Sequence, residues 1–532
     1  MNHVADEQGG FAEVGPWRID PDRIAWRRGL GPLREQARQE VPRLLAGGRV
    51  PPVGRLVAAC SEVGWALGVW AVRERNLEQS ARRSALARRL REAFARLGPT
   101  YIKLGQIVSG GEGLFPAELV AEFKLLRDRV PAESFDHVRR VIESELGGRL
   151  DELFAEFDPT PVAAASIAQV HAARLATGEP VVVKVQRPRI ADLVRRDIRA
   201  LAWLAPKLIG RIPVAALANP PALVELFADT ILEELDFRLE AENMLDIAAV
   251  LAATDQHAVI VPRPHPRLVT RRVLVMERLD GFAWDDVVGM HDAGVDTEAV
   301  LHAGLVAFME GAMLYGVFHG DLHGGNLLVQ PNGRTVLLDF GITGRLDERR
   351  RMAFLFLLLG TTSGDVRAQL GALRDLGAFP PDTDIEAVIR DLHLDGPVVD
   401  PTTLEADELL RQLQEVTKKL LGYGARAPKE LMLFVKNMMF LDGAIARLAP
   451  DLDILGEIEQ VHTEIARRHG ERLATEMGID LSGAVFDADA VKAAMGIDPA
   501  VERLTYRDVQ ARRETIRGRF EARRRSGRPA RR

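Results

Sequence analysis

The spacing of apolar and polar positions predicts helices in the first third of the chain. Apolar residues recur every three or four positions between Leu86 and Leu97, as on one face of an amphipathic helix over residues 82–97. A second helix is expected to begin near Pro116, because proline is favoured in a first helical turn.

Short β-type runs replace this pattern further along the chain. Apolar stretches at 167–175 and 181–185, separated by the turn Thr177-Gly178-Glu179, predict an antiparallel hairpin. The rest of the chain is expected to be helical at 189–250, to form a second β pair at 268–277, and to be mostly helical from about 293, apart from a loop-and-strand region at 319–341.

Two stretches near the beginning are less regular. Residues 1–50 are rich in Arg, Pro and Gly and weakly periodic, so we interpret them as a loosely ordered lead-in. Residues 56–72 are apolar but contain Ser61 and Glu62, and their length is at the lower limit for a membrane span. A helix buried in protein or lying on a membrane is the favoured interpretation.

Composition narrows the class of protein. Hydrophobic residues make up 47% of the chain, which is typical of a folded globule, and the net charge of −6 argues against a general nucleic-acid binder. The single cysteine, Cys60, excludes an intrachain disulfide and a cysteine-rich metal site. A reducing cytoplasm fits this, and the first residues lack the pattern of a signal peptide.

The end of the chain is basic. Residues 501–532 contain twelve Arg against four acidic residues. Such a tail is most often solvated surface, and contact with an anionic membrane or with nucleic acid is the alternative.

The strongest chemical signal is the run HGDLHGGNLLV at 319–329. Asp321 precedes Asn326 by five residues, and Asp339 follows in LLDFG after a turn at Pro331-Asn332-Gly333. This is the layout of a kinase catalytic loop and its metal-binding loop. Asn326 and Asp339 offer oxygen ligands for Mg²⁺, and Asp321 can orient or deprotonate an attacking hydroxyl or water.

A phosphate-binding cation is expected at Lys184, within the apolar run VVVKVQRP at 181–188. A lone strand lysine more often lies at a sheet edge and faces water. Its carboxylate partner is sought in residues 231–243, which we interpret as one helix carrying Glu233, Glu234, Asp236, Glu240 and Glu242. The preceding run PVAAASIAQVH has no GxGxxG and on its residues alone is a small-residue turn.

These segments, in this order, resemble the UbiB/AarF (ADCK-type) family of atypical protein-kinase-like proteins. The matching runs are AAASIAQVH, VVVKVQRP, ELDFRLEAEN, HGDLHGGN and LLDFG. KLGQ at 103–106 resembles the family's KxGQ signature, and ARLAPDLDI at 446–454 its end-of-core segment. The resemblance covers about residues 80–455.

The resemblance implies roles for individual residues. Lys184 is similar to the phosphate-binding lysine, Glu240 to its helix partner, and Asp321, Asn326 and Asp339 to the catalytic aspartate and metal ligands. The remaining matches are Ala163, Ala164, Ala165 and Ser166 in the alanine-rich loop, Glu234 and Asp236 in the ExD pair, and Lys103 and Gln106 in KxGQ. The KxGQ helix is implied to cover the place where a protein substrate would bind.

Three departures accompany the resemblance. The catalytic loop reads HGD where many relatives have HAD or HTD, and Ala168 stands where glycine is common. Some bacterial relatives end in two transmembrane helices, whereas no apolar span follows residue 455 here.

The expected fold is α+β, a bilobal kinase-like domain with a helical extension before it. The expected division is a lead-in with an apolar helix at 1–80, a helical KxGQ extension at 81–150, a small lobe at 151–279, a mostly helical lobe at 280–455, and a helical region with a basic tail at 456–532. Adenine is expected to bind backbone between Glu277 and Leu279.

The expected function is phosphoryl transfer from ATP with Mg²⁺, to water or a small molecule. The resemblance implies a supporting role in isoprenoid quinone biosynthesis or lipid homeostasis. The alternative is a nucleotide-gated regulatory module that moves a lipid or partner without net phosphorylation, and a third reading is an inactive scaffold. Expected partners are ATP or ADP, lipid or quinone precursors and an anionic membrane surface, with no specific nucleic acid. We expect a cytoplasmic protein, peripheral at the inner face of the membrane.

Overall fold

The computed structural model describes most of the chain as two compact units. The described residues are 10–12, 15–46, 52–109, 115–126, 131–208, 220–394, 415–416, 419–420, 422–426, 428–479, 492, 497–498 and 500–526. The first unit comprises Met1–Ala248, Val261–Leu279 and Asp339–Ile342, and the second comprises Ala249–Ile260, Asp280–Leu338 and Thr343–Arg532. The five-part division expected from the sequence stays a prediction.

The first unit has helices before its sheet and between two of the sheet's strands. Its helices are α1 (Leu30–Leu45), α2 (Val53–Arg73), α3 (Gln79–Leu97), α4 (Pro99–Ser109), α5 (Ala117–Lys124), α6 (Phe135–Leu146), α7 (Leu150–Leu153), α8 (Ile190–Leu208), α9 (Pro220–Glu233) and α10 (Phe237–Ala253), the last of which continues into the second unit. The predicted helix over 82–97 corresponds to α3, and the one near Pro116 to α5.

The sheet of the first unit is antiparallel. Its strands are β1 (Phe154–Phe157), β2 (Ala163–Ala164), β3 (Ala168–Leu175), β4 (Pro180–Gln186), β6 (Pro264–Val269) and β7 (Val273–Glu277), in the order β1-β3-β4-β7-β6 with β2 on β3. The predicted hairpin is β3–β4, and the predicted second β pair is β6–β7. Alternate residues of β4, Val181, Val183 and Val185, are buried against α6 in the core of this unit.

The lead-in interpretation of residues 1–50 is wrong for much of the described part. The indole nitrogens of Trp17 and Trp26 donate to the carbonyls of Pro264 and His265 on β6, at 3.1 and 3.2 Å. Arg34 of α1 lies 3.0 Å from the carboxylate of Glu242 on α10. Leu30, Val41 and Leu44 of α1 are also buried. Sequence periodicity did not reveal the two tryptophan bonds and the ion pair, because single polar contacts leave no repeating pattern.

The stretch 231–243 is not one helix. α9 ends at Glu233 and α10 begins at Phe237, so Glu234 and Asp236 lie in the link between them. The Asp236 carboxylate accepts the N–H of Arg238 at 3.1 Å. An aspartate that satisfies an otherwise unbonded N–H at a helix start favours a new helix over continuation of the old one.

One of the two sequence-based interpretations was that residues 56–72 form a helix buried in protein. This is wrong for the apolar helix α2. α2 and the stretch Thr297–Tyr315 are long and apolar enough to cross a membrane, and 11% and 56% of their apolar windows are buried in the protein. The open face of α2 carries Val53, Val57, Trp65 and Val72.

The second unit is mostly helical. Its helices are α11 (Val287–Asp292), α12 (Thr297–Glu310), α13 (Glu348–Thr362), α14 (Val366–Asp375), α15 (Ile385–Leu392), α16 (Lys429–Leu448), α17 (Ile454–Met477) and α18 (Tyr506–Ser526). Its strands are β5 (Val259–Ile260), β8 (Phe282–Ala283), β9 (Val317–His319), β10 (Leu327–Val329), β11 (Thr335–Leu337) and β12 (Thr343–Arg345). α18 contains most of the basic tail, whose residues 527–532 lie outside the described part.

Two small sheets flank the run from His319 to Asn326, which is called the catalytic run because of its predicted role. β10 and β11 pair antiparallel across the predicted turn, where Gly333 adopts a positive φ of 82°. β9 pairs with β12 through His319 and Thr343. The run from His319 to Asn326 is thereby held at both ends by strands.

Candidate functional site

Lys184 lies on β4, an interior strand of its sheet, and not on an edge. Its neighbours Val183 and Val185 point into the apolar core on one face. Because side chains alternate along a strand, Lys184 points to the opposite face. Its side chain is 8% exposed, so an unpaired ammonium here would be strongly unfavourable.

Two carboxylates compensate this buried charge. Lys184 Nζ donates to Glu240 Oε1 at 2.7 Å and to Asp339 Oδ1 at 3.0 Å. The Glu240 side chain is 3% exposed, whereas that of Asp339 is 44% exposed. The pairing of Lys184 with Glu240 that we expected is therefore present, with Asp339 at the more open side of the cluster.

The pKa values of Lys184 and Glu240 are both shifted. Burial lowers the pKa of Lys184, but Asp339 and Glu240 outweigh it and hold that pKa above its ordinary value. Burial raises the pKa of Glu240; Lys184 opposes this rise, and Asp339 and Glu234 add to it. The lysine therefore stays protonated while it bridges the two acids.

The backbone at Asp339 is held in an unusual conformation. Its φ of 55° lies in the left-handed region, which few residues other than glycine and asparagine or aspartate adopt. The Asp339 carboxylate accepts the N–H of Gly341 at 3.3 Å, and the Asn243 side chain of α10 donates to the carbonyl of Phe340 at 2.8 Å. A Cβ at Gly341 would come within 3.2 Å of Glu234 Cγ. The Asp-Phe-Gly turn is thus fixed on both sides.

The KLGQ segment lies on α4 and contacts the link between α9 and α10. Lys103 Nζ lies 2.8 Å from Glu234 Oε1, and both side chains are largely buried. Gly105 allows a close approach, because a Cβ there would lie 2.4 Å from Leu126 Cδ1. Gln106 is half-buried on the same helix. Asp236, the second acid of the ExD pair, binds Arg238 at 2.6 Å.

The alanine-rich loop is the tight connection between β2 and β3. Ala163 and Ala164 pair with β3, the N–H of Ala165 donates to the carbonyl of Ala168 at 2.8 Å, and Ser166 is buried in the turn. The turn is therefore closed by its own backbone.

Arg187 attaches this loop to the segment before α6. Its guanidinium donates to the carbonyl of Ala165 at 3.1 Å, to that of Pro131 at 2.8 Å and to the carboxylate of Glu133 at 3.0 Å. The Arg187 side chain is 7% exposed, and its hydrogen bonds hold the loop and the segment before α6 together. The quoted run VVVKVQRP contains it, yet nothing in its spacing indicated this role.

The expected adenine-binding stretch follows β7. The N–H of Glu277 donates to the carbonyl of Arg263 at 2.9 Å, and the N–H of Arg278 to that of Pro180 at 3.3 Å. Both amides are therefore used within the protein, and adenine binding by this stretch stays a prediction. The Glu277 carboxylate forms an ion pair with Arg263.

The second unit holds the catalytic run by a separate set of bonds. His319 Nδ1 accepts the N–H of Asp321 at 3.2 Å, so its Nε2 carries the proton and donates to the carbonyl of Leu338 at 3.2 Å. The Nδ2 of Asn326 donates to the carbonyl of Asp321 at 3.1 Å. The N–H of Leu338 returns to the Asn326 carbonyl at 2.8 Å.

The metal-binding roles of Asn326 and Asp339 stay a prediction. Within the described residues there is no cluster of three or more His, Cys, Asp or Glu side chains suited to a metal. Mg²⁺ needs no such cluster, because it is typically bound by one or two protein oxygens together with phosphate oxygens and water.

A carboxylate–lysine–carboxylate cluster on an antiparallel sheet, with an HxDxxxxN run in a helical unit, defines a kinase-like protein. A family model for the ABC1 atypical kinase-like domain matches residues 125–370, and the expected α+β kinase-like fold is confirmed.

Individual proteins also resemble this chain over most of its length. The chain is 36% identical to an uncharacterised protein of Mycobacterium tuberculosis over 400 residues, which covers 71% of this chain and 79% of that one. It is 32% identical to a chloroplastic aarF domain-containing protein kinase of Arabidopsis thaliana (69% and 72% covered) and to a probable protein kinase UbiB of Aeromonas hydrophila (71% and 70% covered). The chain belongs to the ABC1, or UbiB/AarF, family of atypical kinase-like proteins.

Proposed function

We propose that this protein is a magnesium-dependent, ATP-binding atypical kinase or ATPase that supports isoprenoid quinone biosynthesis or lipid homeostasis. The observation that carries the proposal is the contact of Lys184 with both Glu240 and Asp339. A strand lysine held by a helix carboxylate is how kinases present a cation to the α- and β-phosphates. The quinone assignment is supported by the resemblance to UbiB proteins.

Each polar group then has one role. Lys184 binds the phosphates, Glu240 holds Lys184 in place, and Leu279 offers a backbone N–H to adenine. Asn326 and Asp339 would hold Mg²⁺, which neutralises phosphate charge when bound. Asp321 orients the attacking hydroxyl or water and accepts its proton.

The acceptor is proposed to be water or a small molecule and not a protein. Arg187 holds the carbonyl of Ala165 and so restrains the loop that would close over the phosphates. Lys103 ties α4 to the acid-bearing link at Glu234. Both contacts restrict rearrangement around the phosphate-binding lysine, which disfavours a bulky peptide acceptor.

A nucleotide-gated regulatory module is the second candidate, and the pair of Lys103 and Glu234 favours it. Glu234 also packs against Gly341 of the Asp-Phe-Gly turn. A change at Asp339 on nucleotide binding would therefore be passed to α4 through Glu234. In this reading the output is a movement of α4 and not a phosphorylated product.

Peripheral membrane association is proposed through α2. Its open face is apolar, with Trp65 69% and Val57 59% exposed. Its polar residues are tied to the first unit: Arg55 pairs with Asp197 of α8, and Glu62 lies 2.7 Å from Arg96 of α3. A spanning helix would have to give up these ion pairs, whereas a helix lying at the surface keeps them.

The membrane proposal is tested by extraction. Membranes from cells that make the full chain are washed with high salt and then with carbonate. We expect release of the protein. Retention after both washes would contradict peripheral binding.

ATP turnover by the purified full chain tests the enzymatic proposal. Turnover is measured with and without Mg²⁺, anionic liposomes and phenolic quinone precursors, with Asp339→Asn as the inactive control. Mg²⁺-dependent turnover, stimulated by lipid or precursor, supports the enzyme. Saturable Mg²⁺-ATP binding without turnover supports the regulatory module, and the absence of binding rejects both.

A further inference from the structure

The catalytic run of the second unit carries no cation of its own. Between Asp321 and Asn326 the sequence is Leu-His-Gly-Gly, with neither lysine nor arginine. The His323 ring is engaged locally, since its Nδ1 accepts the N–H of Gly325 at 3.1 Å. The Asp321 side chain is 18% exposed. A carboxylate so little exposed requires a counter-charge from elsewhere.

α16 brings that counter-charge from far along the chain. Lys436 Nζ donates to Asp321 Oδ1 across 115 residues of sequence. The next residue, Asn437, bonds the backbone on both sides of Asp321. Its Oδ1 accepts the N–H of Leu322 at 3.0 Å, and its Nδ2 donates to the carbonyl of His319.

These bonds distinguish the pair from an ordinary surface ion pair. Exposed pairs contribute little, because both side chains can move and water competes. Asn437 is fully buried, so its bonds fix the register between α16 and the catalytic run. Lys436, one residue away, is thereby presented to Asp321 and not to solvent. α16 also lies beyond residues 125–370, the part matched by the family model.

We propose that Lys436 is a positioning residue for phosphoryl transfer. It holds the Asp321 carboxylate in one orientation and compensates its charge, so that Asp321 meets the attacking hydroxyl or water with a defined oxygen. This inference rests on the proposed function, because it assigns Lys436 a role only if Asp321 acts on an acceptor. Lys436 acts through Asp321 and does not bind the nucleotide.

The test uses the full chain with Lys436→Met and Lys436→Arg. The control is Arg447→Met, which removes a positive charge from an exposed position on the same helix. We expect Lys436→Met to lower kcat by at least about tenfold, with KM for ATP within about twofold, because the lost interaction serves the chemical step. Lys436→Arg should recover most of the rate, and Arg447→Met should match the wild type.

A double variant tests whether Lys436 acts through Asp321. Asp321→Asn combined with Lys436→Met should be no slower than Asp321→Asn alone, since residues that act as a unit are not additive. A double variant at least about tenfold slower than Asp321→Asn would overturn the inference.

The single variants give the other decisive outcomes. A wild-type kcat in Lys436→Met, or a raised KM with unchanged kcat, would overturn the inference while Asp321→Asn keeps only a low residual rate. A wild-type rate in Asp321→Asn would reject the proposed function and this inference with it, as would a wild-type chain without ATP turnover. If Lys436→Met does not fold, Lys436→Gln takes its place under the same criteria.

Discussion

Glu240→Gln removes the charge of the helix carboxylate that holds Lys184 but keeps its shape. In the native protein Lys184 Nζ lies 2.7 Å from Glu240 Oε1 and 3.0 Å from Asp339 Oδ1. With Glu240 neutral, the ammonium is drawn towards Asp339. The ammonium then competes with Mg²⁺ for Asp339 and is displaced from the position in which it would bind the phosphates.

The contacts set the size of the effect. A hydrogen bond to a charged group contributes about 1.5–3 kcal/mol, which corresponds to a fall of about ten- to a hundredfold in kcat/KM. The loss of stability should be smaller than the roughly 3–5 kcal/mol of a broken buried ion pair. Lys184 keeps Asp339 as a partner, and the new amide oxygen can still accept its hydrogen bond.

The assay is steady-state ATP turnover together with thermal melting. Glu242→Gln is the matched control, because Glu242 lies on the same helix and also forms an ion pair, with Arg34 at 3.0 Å. The control should stay within about twofold of the wild type, since it removes no bond to Lys184. Equal kcat/KM for Glu240→Gln and wild type, or an equal loss in the control, would refute the reasoning.

Three further substitutions test separate parts of the molecule. Asp339→Asn should abolish Mg²⁺-dependent ATP binding, because a ligand charge is lost beside the triphosphate; a wild-type thermal shift with Mg²⁺-ATP would contradict this. Ala165→Gly should change the ratio of ADP to ATP affinity, because glycine frees the backbone of the alanine loop. An unchanged ratio, with only a stability loss of about 0.5–1 kcal/mol, would mean that the alanines merely pack. His302→Gln should lose a pH-dependent stabilisation. Burial lowers the pKa of His302, but hydrogen bonds to Glu464 and Glu457 outweigh it and leave that pKa raised. The stabilisation is therefore complete below about pH 6.5 and is lost as pH rises through the folded pKa. The difference in melting temperature between wild type and variant should shrink from about pH 6 to about pH 9, and a constant difference would argue against it.

The parts of the fold that the sequence predicted correctly are those with a local cause. The β3–β4 hairpin follows from alternating valines and a Thr-Gly-Glu turn, and α3 from its apolar spacing. The interpretation of 231–243 as one helix was wrong because acidic and apolar residues both continue through the break. In the structure the bond from the Arg238 N–H to Asp236 marks the break.

The candidate site likewise contains residues that the sequence indicated and residues that it did not. Lys184, Asp321, Asn326 and Asp339 stand in short runs whose order is informative by itself, and their roles stay predictions. Arg187 and Lys436 could not be found from spacing. A lone arginine beside a proline, or a lysine on an amphipathic helix, has no local signature, and its role depends on the groups, distant in sequence, that it contacts in the fold.

The two tryptophan bonds to β6 have a consequence for handling the protein. β6 is a terminal strand of its sheet, and such strands invite pairing with other molecules unless they are covered. Trp17 and Trp26 lie against it, and Pro264 and Pro266 within it remove two backbone donors. A shortened chain that starts at residue 81 would uncover this strand. Aggregation during purification of such a fragment would then reflect a lost cover, and not a failure of the kinase-like unit to fold.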